Sequence, residues 1–188
     1  MSVPQPPGAP GSLAELSPAY FALVMATGIV SLASQQMGLH SIALALFGLN
    51  VVAWIALWLL SVARMIRHRR RFFGDMVDHL RGPGFFTMVA GTAVLGSQCA
   101  LLAGEYRAAF ALWAFAIVLW IGLTYTVFAA FTIKEDKPTL DRGITGGWLL
   151  AVVATQSIAV LSALLAAHIG QPWKLELNFF ALSMWLWG

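Results

Sequence analysis

Apolar residues along this 188-residue chain fall in long runs separated by short polar breaks. Five runs, near 18–37, 41–63, 84–104, 107–132 and 144–168, are long enough to cross a hydrocarbon core of about 30 Å at about 1.5 Å per residue. A sixth opens near 175 as KLELNFFALSMWLWG. It covers only about 21 Å as helix by residue 188, so the pattern predicts five full spans and a truncated sixth. Residues 1–16 are rich in proline and glycine and lack Lys and Arg, which predicts a flexible cytoplasmic tail. Without the basic start of a cleaved signal peptide, the first span is expected to be retained. Ser17-Pro18 reads as an N-cap followed by proline at the first helical position. Residues 17–188 then form one all-α integral membrane domain.

The spans also repeat. VMATG, VAGT and VATQ lie in the odd-numbered spans, and their alanines, Ala26, Ala90 and Ala154, are each 64 residues apart. The same offset aligns Phe21, Phe85 and Leu149, and again Val24, Met88 and Val152. A period of that length is two spans with their loops, so the unit is a helical hairpin repeated in parallel orientation. Each odd span carries a stripe at i, i+4, i+7, the spacing of one helical face. The stripes are Thr27, Ser31, Ser34; Gly91, Leu95, Gln98; and Thr155, Ala159, Ser162. All but Leu95 are small or polar. The even spans carry Trp54, Trp58, Phe110, Trp113, Phe115, Trp120 and Phe128, which suit a lipid-facing outer layer. The pattern predicts odd helices inside, lining a pore, and even helices outside. Small and hydroxyl residues also permit close helix packing, and inner helices must do both.

Composition agrees with the membrane reading: 60% of residues are apolar, 10% are charged, and mean hydropathy is +0.80. Orientation follows from the cations. Arg64, Arg67, Arg69, Arg70, Arg71 and Arg81, then Lys134, Lys137 and Arg142, lie in loops of one parity, against Arg107 and Lys174 in the other. A cytoplasmic N-terminus is expected, in a multi-pass protein of the cell (inner) membrane. The Arg64–Arg71 cluster reads first as a topology determinant, with anionic lipid headgroups as a second use. A pI near 9.4 does not point to nucleic acid, because the basic residues sit between spans and form no continuous footprint. Cys99 alone allows no intrachain disulfide or metal cluster. Asp75, Asp78 and His79, and Asp136 with Asp141, read as solvated loop residues rather than an acid–base centre. No enzyme, cofactor or metal site is expected.

SPAYFALVMATGIVSLA, GPGFFTMVAGTAVLGSQ and GWLLAVVATQS together resemble the tellurite-resistance/dicarboxylate transporter family. That family includes bacterial tellurite-resistance proteins, malic-acid permeases, sulfite efflux pumps and plant slow anion channels. The resemblance covers residues 17–188 and implies ten spans in five hairpins around a central pore, often in a homotrimer. It also implies a plugging phenylalanine on a ninth helix, beyond this chain, so the pore wall is expected to be incomplete here.

The expected function is transport of small anions (malate and other C4-dicarboxylates, chloride, nitrate, sulfite or tellurite-type species). No Asp, Glu, Lys or Arg lies centrally in a span, which favours passive conduction over a proton-coupled dicarboxylate carrier. A non-conducting structural membrane subunit is the other alternative. Candidate lining residues are Thr27, Gly28, Ser31, Ser34, Gly91, Thr92, Gln98, Thr155, Gln156 and Ser162. Their hydroxyls, amides and backbone N–H groups would replace anion hydration. The positive dipole ends of the odd helices would gather at the inner mouth.

Overall fold

A computed structural model describes residues 13–133 and 145–188. The start of the tail and the second basic loop, with Lys134, Asp136, Lys137, Asp141 and Arg142, lie outside the described residues. Among the described residues all regular structure is helical. The helices are α1 (Ala22–Gln36), α2 (His40–Arg67), α3 (Arg69–Met76), α4 (Phe86–Gln98), α5 (Tyr106–Ile133), α6 (Leu149–His168) and α7 (Trp173–Trp187). Five segments are long and apolar enough to cross a membrane: Pro18–Gln36, His40–Arg67, Gly82–Ala103, Tyr106–Ala130 and Gly146–His168. These are the five expected spans, with ends moved by a few residues. α2 runs on to Arg67 because nothing in SVARMIR breaks it, and Arg64 and Arg67 suit the negative end of its dipole.

The hairpin repeat is visible in the backbone. Each odd span opens with a short 3-10 turn, at Pro18–Phe21, Gly82–Phe85 and Gly146–Trp148, before becoming α-helical. The first residues of these turns keep the 64-residue spacing. The first turn is capped as expected: the Ser17 hydroxyl accepts from the Ala19 N–H, and proline follows at the first position. Gly38 and Gly104 close the first two hairpins with φ of +80° and +65°, a region that glycine enters without strain.

α1, α4 and α6 pack side by side, with α4 between the other two; α2 and α5 cover them from outside, and α7 packs on α6. Burial follows this order. In the span built on α4, 83% of the most apolar stretch is buried, against 11% for α2 and 17% for α5. Every residue from Gly82 to Ala100 is buried. Small residues make that enclosure physically possible, because close backbone approach is the main source of helix association in lipid. A Cβ added at Gly91 would lie 3.3 Å from the Phe21 carbonyl oxygen of the α1 span. At Gly96 it would lie 2.6 Å from Leu161 of α6. On the outer side of α2, Val52, Ile55, Leu59, Val62 and Ile66 form one exposed apolar face suited to lipid.

Two expectations need correction. Trp54, Trp58, Trp113 and Trp120 do not form the lipid-facing surface; they are half-buried and turn toward the inner helices or neighbouring rings. For Trp54, Trp113 and Trp120 the indole N–H is the reason, since lipid has no acceptor to offer, whereas Trp58 packs against the rings of Phe21, Trp54 and Phe115. Arg64 and Asp75 are not solvated loop residues either. Arg64 is 2% exposed, ion-pairs with Asp75, and donates from Nε and Nη2 to the Ala14 carbonyl at 3.2 and 3.0 Å. The Phe72 ring stands 5.8 Å from its guanidinium carbon. Arg81 reaches Asp75 from the other side at 3.2 Å. A charge this enclosed persists only when paired, and here the pair ties the chain start, α2 and α3 together.

Candidate functional site

The polar stripes of the odd spans provide the functional candidates, and their hydrogen bonds follow one scheme. Thr92 of α4 is fully buried, donates to the Met88 carbonyl at 2.7 Å and accepts from Trp54 Nε1 of α2 at 3.0 Å. Thr155 of α6 donates to the Ala151 carbonyl and accepts from Trp120 Nε1 of α5, both at 2.9 Å. Ser162 donates to the Ile158 carbonyl and accepts from Trp113 Nε1 of α5, both at 2.7 Å. In each case the hydroxyl spends its proton on its own helix and its lone pair on an outer-helix indole. This satisfies two buried donors with one side chain. The scheme joins each even span to the odd span that follows it.

The first hairpin differs. Ser31 donates across to the Ala43 carbonyl of α2 at 2.7 Å, and Ser34 to the Val30 carbonyl of its own helix at 2.8 Å. Gly28 sits where α1, α2 and α4 converge. A Cβ there would overlap Val94 and lie 3.0 Å from Asn50 Nδ2 and 3.2 Å from Gln98 Oε1. Those two amides form a buried pair, with Asn50 Nδ2 donating to Gln98 Oε1 at 2.6 Å. Asn50 Oδ1 and Gln98 Nε2 have no partner among the described residues. α4 ends at Gln98 in a single π-turn, Cys99–Ala103, a feature often found at functional positions.

Of the ten candidate lining residues, the structure therefore encloses Gly28, Ser31, Ser34, Gly91, Thr92, Gln98, Thr155 and Ser162 between helices. Thr27 and Gln156 are half-buried. Gln156 Nε2 donates to the Trp185 carbonyl near the end of α7 at 3.0 Å. Asn50, Trp54, Trp113 and Trp120 were missed by sequence reasoning. Asn50 is the lone amide in an otherwise apolar stretch of α2, and a solitary polar residue at that depth is itself a signal. The tryptophans also left a trace. Trp113 and Trp120 are seven apart on α5, and Thr155 and Ser162 are seven apart on α6, the match expected of antiparallel neighbours.

Residues 15–188 match the family model SLAC1, voltage-dependent anion channel. This is the group to which the sequence resemblance pointed. Among curated proteins the chain is similar to the sulfite efflux pump SSU1 of Arthroderma otae, 27% identical over 158 residues covering 76% of this chain and 40% of that protein. It is likewise 27% identical over 154 residues to the sulfite efflux pump SSU1 of Trichophyton rubrum, with the same coverage. The chain thus spans about 40% of the length of the curated relatives it matches. No solved structure gives a significant match.

Proposed function

The chain belongs to the voltage-dependent anion channel family, and from that membership we propose that α1, α4 and α6 form part of the wall of a pathway for small anions. One observation carries the proposal. The three inner helices start at one end and hold no ionisable side chain before His168, only hydroxyls and amides. A passing anion would meet neutral donors, which replace water without trapping the ion. It would meet positive helix ends where the 3-10 turns begin. The absence of a carboxylate or histidine at depth in these helices supports passive conduction over a proton-coupled dicarboxylate carrier.

Within that reading, the ten candidate residues divide by what their polar atoms already do. Ser31, Thr92, Gln98, Thr155 and Ser162 join one helix to another, Ser34 bonds within α1, and Gly28 and Gly91 let the helices approach. Thr27 and the free Gln156 carbonyl side are the positions we assign to the pathway surface. Sulfite and related oxyanions are the first substrates to examine, because the curated relatives are sulfite efflux pumps; chloride, nitrate, malate and tellurite-type ions are the comparison set. The full-length protein reconstituted in liposomes should release loaded sulfite, and Thr27→Val should change that rate several-fold without lowering the unfolding temperature. Liposomes tight to every anion in the set would favour a non-conducting membrane subunit instead.

A further inference from the structure

The basic segment after α2 has a use beyond topology. Between Arg64 and Arg81 there are six arginines and two aspartates. The structure separates these arginines into two groups. Arg64 and Arg81 both pair with Asp75. Arg67, Arg69, Arg70 and Arg71 are all exposed, and none has an ion pair among the described residues. They are held on a fixed support, since α3 buries Phe72 and Met76, stacks Phe72 edge-on to Phe85 at 5.2 Å, and is clamped through Asp75. Their neighbours are exposed and apolar: Met65 and Ile66 in the last turn of α2, and Phe73 of α3 at 48% exposure. Four unpaired guanidinium groups therefore stand directly after the lipid-facing stripe of α2, beside an aromatic ring suited to the headgroup layer.

We propose that Arg67, Arg69, Arg70 and Arg71 bind the phosphate groups of anionic lipids in the leaflet surrounding this end of the protein. The planar guanidinium donates two parallel N–H bonds to a phosphate, and a surface of anionic lipid attracts each nearby cation by roughly a fivefold preference. The apolar neighbours select a membrane surface over a soluble polyanion. The proposal does not depend on the anion pathway.

The test uses the whole protein in nanodiscs of phosphatidylcholine with a trace of labelled phosphatidylglycerol or labelled phosphatidylcholine, reading lipid retained on the protein after detergent exchange. The wild type should retain phosphatidylglycerol over phosphatidylcholine by one to two orders of magnitude, with little competition from millimolar inorganic phosphate. R69Q/R70Q/R71Q should bring the two lipids close to equal, while R69K/R70K/R71K keeps most of the preference. Equal retention by the wild type, undiminished preference in the glutamine variant, or full displacement by inorganic phosphate would each overturn it. Should the glutamine variant fail to accumulate, the wild-type lipid comparison and the lysine variant still decide the matter.

Discussion

Replacing Thr155 by valine and Trp120 by phenylalanine, singly and together, separates a hydroxyl that holds two helices from one that faces an ion. Valine preserves the shape of Thr155 and removes the acceptor of the 2.9 Å bond from Trp120 Nε1. Little else is lost, because the Ala151 carbonyl that took the hydroxyl proton keeps its place in the helix ladder. Interhelical hydrogen bonds in membrane proteins average about 0.6 kcal/mol and reach about 1.7. Thr155 is 1% exposed, so its bond is shielded from water and Thr155→Val should cost about 1 kcal/mol. Trp120→Phe should cost more. It loses the same bond and much of the edge contact with Trp187, whose ring centroid is 5.0 Å away at 78°, a type of pair worth about 0.5–1.5 kcal/mol beyond area. If the bond is the link between the sites, the double variant should fall short of the sum by about 1 kcal/mol. Reversible unfolding in mixed micelles with increasing sodium dodecyl sulfate measures all four proteins, and anion flux from liposomes gives the second readout. A coupling below about 0.3 kcal/mol would refute the anchoring role. So would a change of anion selectivity in Thr155→Val that Trp120→Phe does not share.

Two further outcomes follow from the packing. Gly28→Ala should destabilise the protein by about 1–3 kcal/mol in the same unfolding assay, because the new methyl meets Val94, Asn50 and Gln98 at once. Adding Val94→Ala should recover part of that loss. At the other cluster, Asp75→Asn should cost more than Arg64→Gln, with the larger value near about 3–5 kcal/mol. Asp75→Asn leaves a 2%-exposed guanidinium without its counter-charge, whereas losing Arg64 leaves Asp75, 15% exposed, still paired with Arg81. Thermal unfolding in detergent ranks the two, and the reverse order would show that the aspartate is the more stranded partner.

Much of the architecture was legible in the chain itself. Run lengths of apolar residues set the five spans, since a bilayer demands about 20 consecutive apolar positions in a helix and tolerates few alternatives. The 64-residue spacing set the hairpin unit, and the structure carries it into the backbone as three 3-10 helix starts. Small residues in the odd spans and large ones in the even spans gave the order of layers, because only narrow helices can sit in the middle of a row. The direction of the polar stripes was a different matter. Periodicity places Thr155 and Ser162 on one face of α6, but it does not say which neighbour that face, or Thr92 of α4, meets. The answer depended on Trp54, Trp113 and Trp120, which lie 35 to 49 positions away in sequence and bring donors that need acceptors. The same holds for Arg64, which by composition is one basic residue among six and in space is the buried one. Local pattern determined what each helix is; side chains distant in sequence and meeting in three dimensions decided what each polar residue bonds to.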